Sequence, residues 1–313
     1  MLAPSAPIVC IGGLNIDRKL RLFARPLAGS SNPCEAHETP GGVVRNVAEN
    51  LARLGLPVAL IGAVGDDAGG RMLLEQAASV GIDMSACLRV RRCSSDSYTA
   101  VLAADGRLHL GLASMPLVER INAWGLQAST ALRAHAPLVI ADGNLPPDAW
   151  PVLLAEAQAQ APAQPPLSAH GRRPLLVAVA VSEAKMERLP ARLAGLHLLI
   201  MNAGELATLA AQPADALKQL HARGVERVLV SQGEAGVVLS EPGFAPRHWP
   251  APQVEVLDVT GAGDALAAGV CAALLHNPTD FDAAARLGLD LAALTLRTQD
   301  SVHPELNPSF LNR

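Results

Sequence analysis

The residues best suited to chemistry lie late in the chain, in the segment 257–269, which reads LDVTGAGDALAAG. Its centre is a glycine-rich turn made of Gly261, Ala262 and Gly263. Glycines allow backbone N–H groups to turn inward, and a helix that begins at such a turn adds unpaired N–H donors and a partial positive charge. A pocket of this kind suits a phosphoryl group that gathers negative charge in its transition state.

Asp264 follows this turn directly. A carboxylate beside an anion pocket repels a resting phosphate, so we interpret Asp264 as a base that accepts a proton from an attacking hydroxyl. The alternative is an aspartate that caps a helix after a flexible turn. The spacing alone leaves both interpretations open.

A second group of polar residues near the start of the chain could bind a sugar. Asn15 and Asp17 are two residues apart on an extended segment, so both side chains face the same side and can bind adjacent hydroxyl groups. Gly41 and Gly42 permit close approach of the backbone to a ligand, and Asn46 stands at a predicted helix start. The alternatives are that Asp17 caps a turn, and that Gly41 and Gly42 form a turn with no role in binding.

Asn202 and Glu205 are a third candidate pair. They are three residues apart at the start of a predicted helix, so they project to the same face. The same spacing is typical of a capping box, in which the two side chains satisfy the helix N-terminus. A capping box at this position is compatible with a binding role for the same two side chains.

Several classes of function are disfavoured by composition and motif. The net charge is −4, which argues against a nucleic-acid surface. No GxxxxGK[ST] sequence occurs, and no GxGxxG follows the first strand, so P-loop and nicotinamide-dinucleotide folds are not expected. The five cysteines are scattered without metal-ligand spacing, and no apolar run approaches the ~20 residues that span a bilayer. We expect a cytoplasmic protein with no nucleic-acid or membrane partner.

The elements that must position these residues are short apolar strands that alternate with longer helices. This pattern predicts an α/β fold with a buried, mainly parallel sheet. A strand is predicted at Gln253 to Val259, just before the glycine turn, and a helix at Ala265 to Leu275 after it. Two segments, 20–38 and 97–112, break the alternation, and the second contains an Asp105-Gly106 hairpin signal.

Together these motifs resemble those of the ribokinase-like (PfkB-type) carbohydrate and nucleoside kinases, and the resemblance covers nearly the whole chain. The matching motifs are GGLNID at 12–17, PGGVVRN at 40–46, VGDDAG at 64–69, NAGE at 202–205, VSQG at 230–233 and the segment 257–269. The resemblance implies one three-layer α/β/α domain over residues 1–313. It also implies a small β-lid from excursions at about 14–40 and 95–115, and a homodimer through that lid.

The activity implied by the resemblance is ATP-dependent phosphorylation of an alcohol group, with Asp264 as the base and Gly261, Ala262 and Gly263 holding the developing charge. A second implied set serves the nucleotide. Asn202 and Glu205 would order the phosphates and Mg²⁺, with Glu205 acting through water. Ser231, Gly233 and Thr260 would border the nucleotide. Asp258 would hold a monovalent cation such as K⁺.

Within the family the chain is similar to pseudouridine kinases, through SNP at 31–33, TPGGV at 39–43 and the Arg45-Asn46 pair. Asn144 would place an amide near the sugar, and Tyr98, the only tyrosine, could offer its ring to a flat base or be a half-buried hairpin residue. Two positions depart from that pattern, since the strand 177–181 lacks an Asp-Pro pair and Ser114 stands where relatives have an aspartate.

The expected reaction is phosphorylation of the primary 5'-hydroxyl of a nucleoside, with pseudouridine as the first candidate. Another nucleoside or a ribose-type sugar is the alternative. A non-catalytic relative that only binds such a molecule is the alternative from a different class, and the intact Asp264 argues against it.

Overall fold

The computed structural model describes residues 6–159 and 174–312. The strands are β1 (Ile8–Ile11), β2 (Asn15–Leu22), β3 (Cys34–Gly41), β4 (Val58–Ile61), β5 (Ala63–Gly65), β6 (Leu88–Val90), β7 (Ser97–Leu102), β8 (Leu108–Ser114), β9 (Leu138–Asp142), β10 (Leu175–Val179), β11 (Leu198–Asn202), β12 (Val228–Ser231), β13 (Val237–Ser240) and β14 (Arg247–Trp249). The helices are α1 (Val43–Arg53), α2 (Ala68–Ser79), α3 (Thr130–His135), α4 (Ala149–Gln158), α5 (Ala203–Ala207), α6 (Pro213–Ala222), α7 (Ala262–His276) and α8 (Phe281–Thr295).

The main sheet has eight strands in the order β14-β13-β12-β11-β10-β9-β1-β4. The pairs from β4 through β12 are parallel, and β13 and β14 are added antiparallel at one edge. The predicted α/β fold with a mainly parallel sheet is confirmed.

Helices cover both faces of this sheet, because its inner strands are apolar on both sides. Along β1 the residues alternate: Ile8 and Cys10 pack into one hydrophobic core, while Val9 and Ile11 pack into the other. The first core includes α1, α7 and α8, and the second includes α4 and α6. None of the helices in the described ranges is long and apolar enough to cross a membrane.

A second, small sheet has the order β3-β2-β7-β8 and is built from the two segments that break the α/β alternation. The strands β7 and β8 form the antiparallel pair predicted from Asp105-Gly106, while β2 and β7 are parallel. In this register Asp17 pairs with Tyr98, and Lys19 is on the same face as both. The opposite face carries the exposed Leu110 and Leu112, and Leu108, also exposed, follows a register shift in the β7–β8 pair. We keep the name small sheet for these four strands.

Two sequence predictions around the glycine turn are wrong. The run Gln253–Val259 is not a strand; residues 251–258 follow the edge strand β14, and they carry no regular ladder, although the Leu257 N–H donates to the Leu296 carbonyl at 2.8 Å. Helix α7 begins at Ala262 rather than Ala265, so the turn itself is Gly261 alone.

Gly261 must be glycine for two reasons. Its φ is +80°, in the left-handed region, and a Cβ there would overlap the carbonyl of Ser301. The loop after α8 therefore packs directly on the turn that opens α7.

We predict that Gly261→Ala lowers the free energy of unfolding by about 1–3 kcal/mol, because the new Cβ meets both the strained φ and the Ser301 backbone. Gly263→Ala is the matched control. It lies in the first turn of α7, where an added Cβ would have no atom within 4 Å, and should be neutral or stabilising by up to about 1 kcal/mol. Urea denaturation measures both, and equal stabilities would contradict this account of the turn.

Candidate active site

The candidate active site lies where the carboxyl ends of β1 and β9 meet the N-terminus of α1. Asp142, the last residue of β9, is fully buried there. Its carboxylate accepts from the N–H of Gly13 (2.9 Å), Val44 (3.3 Å) and Asn144 (2.9 Å). Asp142 thus ties two loops and a helix start together.

No role for Asp142 was predicted from the sequence. A usable signal exists, since a single carboxylate ends the apolar strand LVIAD. In parallel sheets, ligands bind at the carboxyl ends of the strands.

The predicted sugar-binding residues come together on the small sheet. Asn15 Nδ2 donates to Asp17 Oδ1 at 2.6 Å, and Gly41 pairs with Asn15 in the neighbouring strand. A Cβ on Gly41 would overlap the Asp17 carboxylate, so glycine is needed for this close approach. Asp17 lies inside β2, and the alternative that it caps a turn is wrong. Burial raises the pKa of Asp17, opposed by the hydrogen bond from Asn15 and by the charges of Lys19 and Arg45.

Asp264 lies in the first turn of α7, but it does not cap that helix. The N-cap is Gly261, and Asp264 Oδ2 instead accepts from Asn46 Nδ2 at 2.7 Å. The alternative of an N-cap aspartate is therefore wrong. Asn46, expected to reach a sugar hydroxyl, is in this conformation bound to Asp264.

The pKa of Asp264 is raised to about 7. Burial is the largest cause, and the hydrogen bond from Asn46 opposes it. The charges of Asp142 and Asp17 add to the rise, while the charge of Arg45 lowers it. A carboxylate with a pKa near neutrality is suited to accept a proton and release it again.

Behind Asn46 lies a buried cation that the sequence interpretation left without a role. Arg45 donates from one nitrogen to Asn46 Oδ1 (3.0 Å) and from another to Glu49, which also accepts from Arg53 Nε at 2.8 Å. The Arg45 contact fixes which way the Asn46 amide points, so its NH₂ group faces Asp264. An arginine in the first turn of a helix opposes the helix dipole, and that is the signal the sequence offered.

The loop that precedes the turn contacts a second cation, Lys19 of β2. Asp258 Oδ1 accepts from the Thr260 N–H (2.8 Å) and hydroxyl (2.7 Å), and Asp258 Oδ2 accepts from Lys19 Nζ at 2.9 Å. The residues at Asp258 therefore do not fit the monovalent cation that the resemblance implied, because an ammonium group already occupies the carboxylate. Nothing in the sequence pattern pointed to Lys19.

Apart from Thr260, which lies in the loop before α7, the predicted nucleotide residues lie at or just after the ends of β11 and β12, where Asn202 is in register with Ser231. Asn202 and Glu205 form the capping box: the Asn202 N–H donates to Glu205 Oε2 (2.8 Å), and the Glu205 N–H donates to Asn202 Oδ1 (2.8 Å). Asn202 is exposed and Glu205 is buried. Gly233 follows β12 in open space.

The carboxylate oxygens of Glu205 and Glu183 fit a magnesium ion held through water. Burial raises the pKa of Glu205, the Asn202 N–H opposes this, and the charge of Glu183 adds to it. Glu183 approaches the same helix start, since its Oε1 lies 2.6 Å from where a Cβ on Gly204 would stand. Within the described ranges no three His, Cys, Asp or Glu side chains cluster as a metal site, so Mg²⁺ would depend on water and phosphate for its other ligands.

The two residues suggested for base or sugar contacts have different surroundings. Tyr98 is half-buried on the face of the small sheet that bears Asp17, with its hydroxyl over Gly111. Asn144 is 3% exposed, and among the described residues its Oδ1 has no hydrogen-bond partner. A buried acceptor without a donor is costly, so a ligand donor would stabilise it.

Comparisons with known proteins give a consistent result. A family model described as pfkB family carbohydrate kinase matches residues 5–307. The uncharacterized sugar kinase YeiI of Escherichia coli K12 is 31% identical over 96% of this chain and 80% of that protein. The pseudouridine kinase of the same organism is 29% identical over 96% and 93%.

Solved structures agree. A carbohydrate kinase from Agrobacterium tumefaciens is 31% identical, covers 98% of this chain and 95% of its own, and superposes with a TM-score of 0.77. A ribokinase from Arabidopsis thaliana, solved with ribose and ATP, is 19% identical over 98% of both chains, with a TM-score of 0.81. The second likeness concerns the fold alone.

We predict that Arg45→Gln raises the pKa of Asp264 above about 7, because a nearby positive charge favours the ionised carboxylate and its removal favours the protonated form. Carboxyl ¹³C NMR of aspartate-labelled protein measures this directly. Arg53→Gln is the control: it contacts Glu49 from the partly exposed side and should leave the Asp264 titration in place. An unchanged titration in Arg45→Gln would contradict the arrangement.

Proposed function

The chain belongs to the pfkB family of carbohydrate kinases, and on that premise we propose that it transfers the γ-phosphoryl group of ATP to the primary 5'-hydroxyl of pseudouridine. It is a ribokinase-like sugar or nucleoside kinase, a phosphotransferase with an alcohol acceptor. The observation that carries the proposal is the Asp264 carboxylate, whose pKa is raised to about 7 at the first turn of α7. ATP as the donor is supported by the ribokinase solved with ribose and ATP.

In the proposed mechanism Asp264 accepts the proton of the substrate hydroxyl as that oxygen attacks the γ-phosphorus. Asn46, fixed by Arg45, holds the carboxylate in place before the substrate arrives. Asn15 and Asp17 bind the sugar hydroxyls from the small sheet. Because each of these groups is already oriented, the reacting atoms meet without a large loss of freedom at the moment of reaction.

The negative charge that develops on the phosphoryl group is assigned to the first turn of α7, where N–H groups have no intrahelical partner. Because the Ala262 N–H is turned toward the Val259 carbonyl at 3.3 Å, the Gly263 N–H is the first donor for this role. Mg²⁺, held through water by Glu205 near Asn202, would neutralise phosphate charge when bound. Ser231, Gly233 and Thr260 are proposed to border the nucleotide.

Pseudouridine is proposed as the acceptor on three grounds. The pseudouridine kinase of Escherichia coli is 29% identical over nearly all of both chains. Asn144 offers a buried acceptor that lacks a donor, and a ring N–H or a sugar hydroxyl can supply one. Tyr98 offers an aromatic face on the side of Asp17.

The second candidate acceptor is a different sugar or nucleoside. The similarity to YeiI, named as a sugar kinase, favours it. A ribose-type sugar would use Asn15 and Asp17 in the same way and would leave Tyr98 without a base to contact. The difference between the two candidates is therefore the base, not the phosphoryl chemistry.

We predict that, with ATP and Mg²⁺, pure protein phosphorylates pseudouridine in preference to uridine, adenosine, inosine, ribose and fructose. Formation of ADP and of the phosphorylated product, followed by mass spectrometry, measures it. Asp264→Asn is the control for contaminating kinases and should fall by about 10²–10⁴-fold, the usual effect of removing a general base. Turnover of ribose alone would favour the second candidate, and full activity of Asp264→Asn would contradict the assigned base.

We also propose that the small sheet pairs with that of a second copy of the chain. On the edge strand β8, Leu110 and Leu112 are 49% and 53% exposed on the outer face, and Leu108, after the register shift, is 60% exposed; together they form an apolar row that water solvates poorly. A homodimer would bury this row.

We predict that Leu110→Glu converts a dimer into a monomer, because a buried carboxylate in the interface is unpaired. Size-exclusion chromatography with light scattering measures the mass. Phe244→Glu is the control, an equally apolar exposed side chain between β13 and β14 that should leave the dimer intact. A wild-type monomer would refute the proposal.

A further inference from the structure

Lys19 joins two parts of the molecule that are far apart in sequence. It lies in the middle of β2 on the small sheet, and its Nζ reaches the loop before α7, 2.9 Å from Asp258 Oδ2 and 3.3 Å from Thr260 Oγ1. The side chains of Lys19 and Asp258 are 32% and 25% exposed, so the pair is partly shielded from water. The contact therefore bridges the small sheet and the loop that leads into Gly261.

Both oxygens of the Asp258 carboxylate accept hydrogen bonds in these contacts. One oxygen accepts two hydrogen bonds from Thr260, and the other accepts the Lys19 ammonium. Burial would raise the pKa of Asp258, but the hydrogen bonds from Thr260 and Lys19 outweigh it, so the pKa lies below its usual range. Asp258 is thus ionised, and its charge is already balanced.

A monovalent metal ion at the same carboxylate would face the ammonium group at close range. Two cations sharing one carboxylate repel each other, and neither Asp258 oxygen is free of a donor in this conformation. The other two lysines of the chain cannot exchange roles with Lys19. Lys185 lies in the field of Asp142, Glu119 and Asp96, and Lys218 is exposed beside Asp215.

We propose that the Lys19 ammonium is a built-in counter-cation for the loop 258–261, in place of a monovalent metal ion, and that it makes phosphoryl transfer independent of potassium. This inference rests on the proposed function insofar as the loop leads into the phosphate-binding turn. The ammonium fixes the carboxylate of Asp258, the carboxylate fixes Thr260 in its turn, and Thr260 leads directly into Gly261.

A tethered cation has one property that a dissolved ion lacks. Lys19 is two residues from Asp17 on the same face of β2, so its position moves with the sugar-binding wall. The placement of the small sheet and that of the loop before α7 are therefore linked through this contact. Lys19 is a positioning residue for the acidic loop, not a group that touches the reacting atoms.

The test uses Lys19→Met, with Lys218→Met as the matched control, since Lys218 is an exposed lysine far from the loop. Thermal unfolding is compared in potassium chloride and in tetramethylammonium chloride at the same ionic strength, about 100 mM, so that general screening is equal. We expect the melting temperature of the wild type and of Lys218→Met to be the same in both salts. Lys19→Met should melt at a higher temperature in potassium than in tetramethylammonium.

Turnover gives the second readout, on whichever acceptor proves active. The wild-type rate should change by less than about twofold between the two salts, while Lys19→Met in tetramethylammonium should fall by about ten- to hundredfold and recover in potassium. Lys19→Arg retains the charge and should stay independent of potassium.

Three results would overturn the inference. The first is potassium activation of the wild type, and the second is a Lys19→Met variant that responds to potassium in neither readout. The third is a raised KM for ATP in Lys19→Met that potassium does not restore, which would mean that Lys19 contacts phosphate directly. The thermal readout needs no substrate, so it decides the matter even if the proposed acceptor is wrong.

Discussion

The candidate active site depends on holding three carboxylates together in a partly buried pocket. Like charges at close range raise one another's pKa unless donors or cations compensate. Backbone N–H groups donate to Asp142 and Asn15 donates to Asp17, and these hydrogen bonds oppose the rise in pKa that burial causes at both carboxyls. Asp264 has Asn46 as its hydrogen-bond donor, and its pKa is raised to about 7. Burial is the main cause of the raised pKa of Asp264, and the charges of Asp142 and Asp17 add to it.

Two cations balance this negative charge from different directions. Arg45 lies behind Asp264 on α1, and Lys19 reaches the loop before Gly261 from β2. Each is anchored by a carboxylate of its own, Glu49 and Asp258. Positive and negative side chains therefore alternate in the pocket, and both sheets contribute to them. This geometry requires that the small sheet be correctly placed relative to the main sheet.

The sequence predicted the architecture well because strand and helix periods are local properties. It also placed Asp264 beside a glycine turn, since both lie within one short segment. It failed where a contact joins distant residues: Lys19 and Asp258 are 239 positions apart, and no local pattern links them. The predicted strand at Gln253–Val259 failed for a related reason, because an apolar run forms a strand only where a neighbouring strand is there to pair with it.

The parallel pairing of β2 with β7 has a consequence for how the protein is made. Ile16 pairs with Ser97, 81 positions later in the chain, so the two central strands of the small sheet are synthesised far apart. A nascent chain can close the β2–β3 hairpin early. The β2–β7 pair forms only after a long loop has closed, which is a slow and entropically costly step. Until then the edges of β2 and β7 that pair in the folded protein lack their partners, and unpaired strand edges promote self-association. Expression at low temperature and slow translation should therefore favour the native protein.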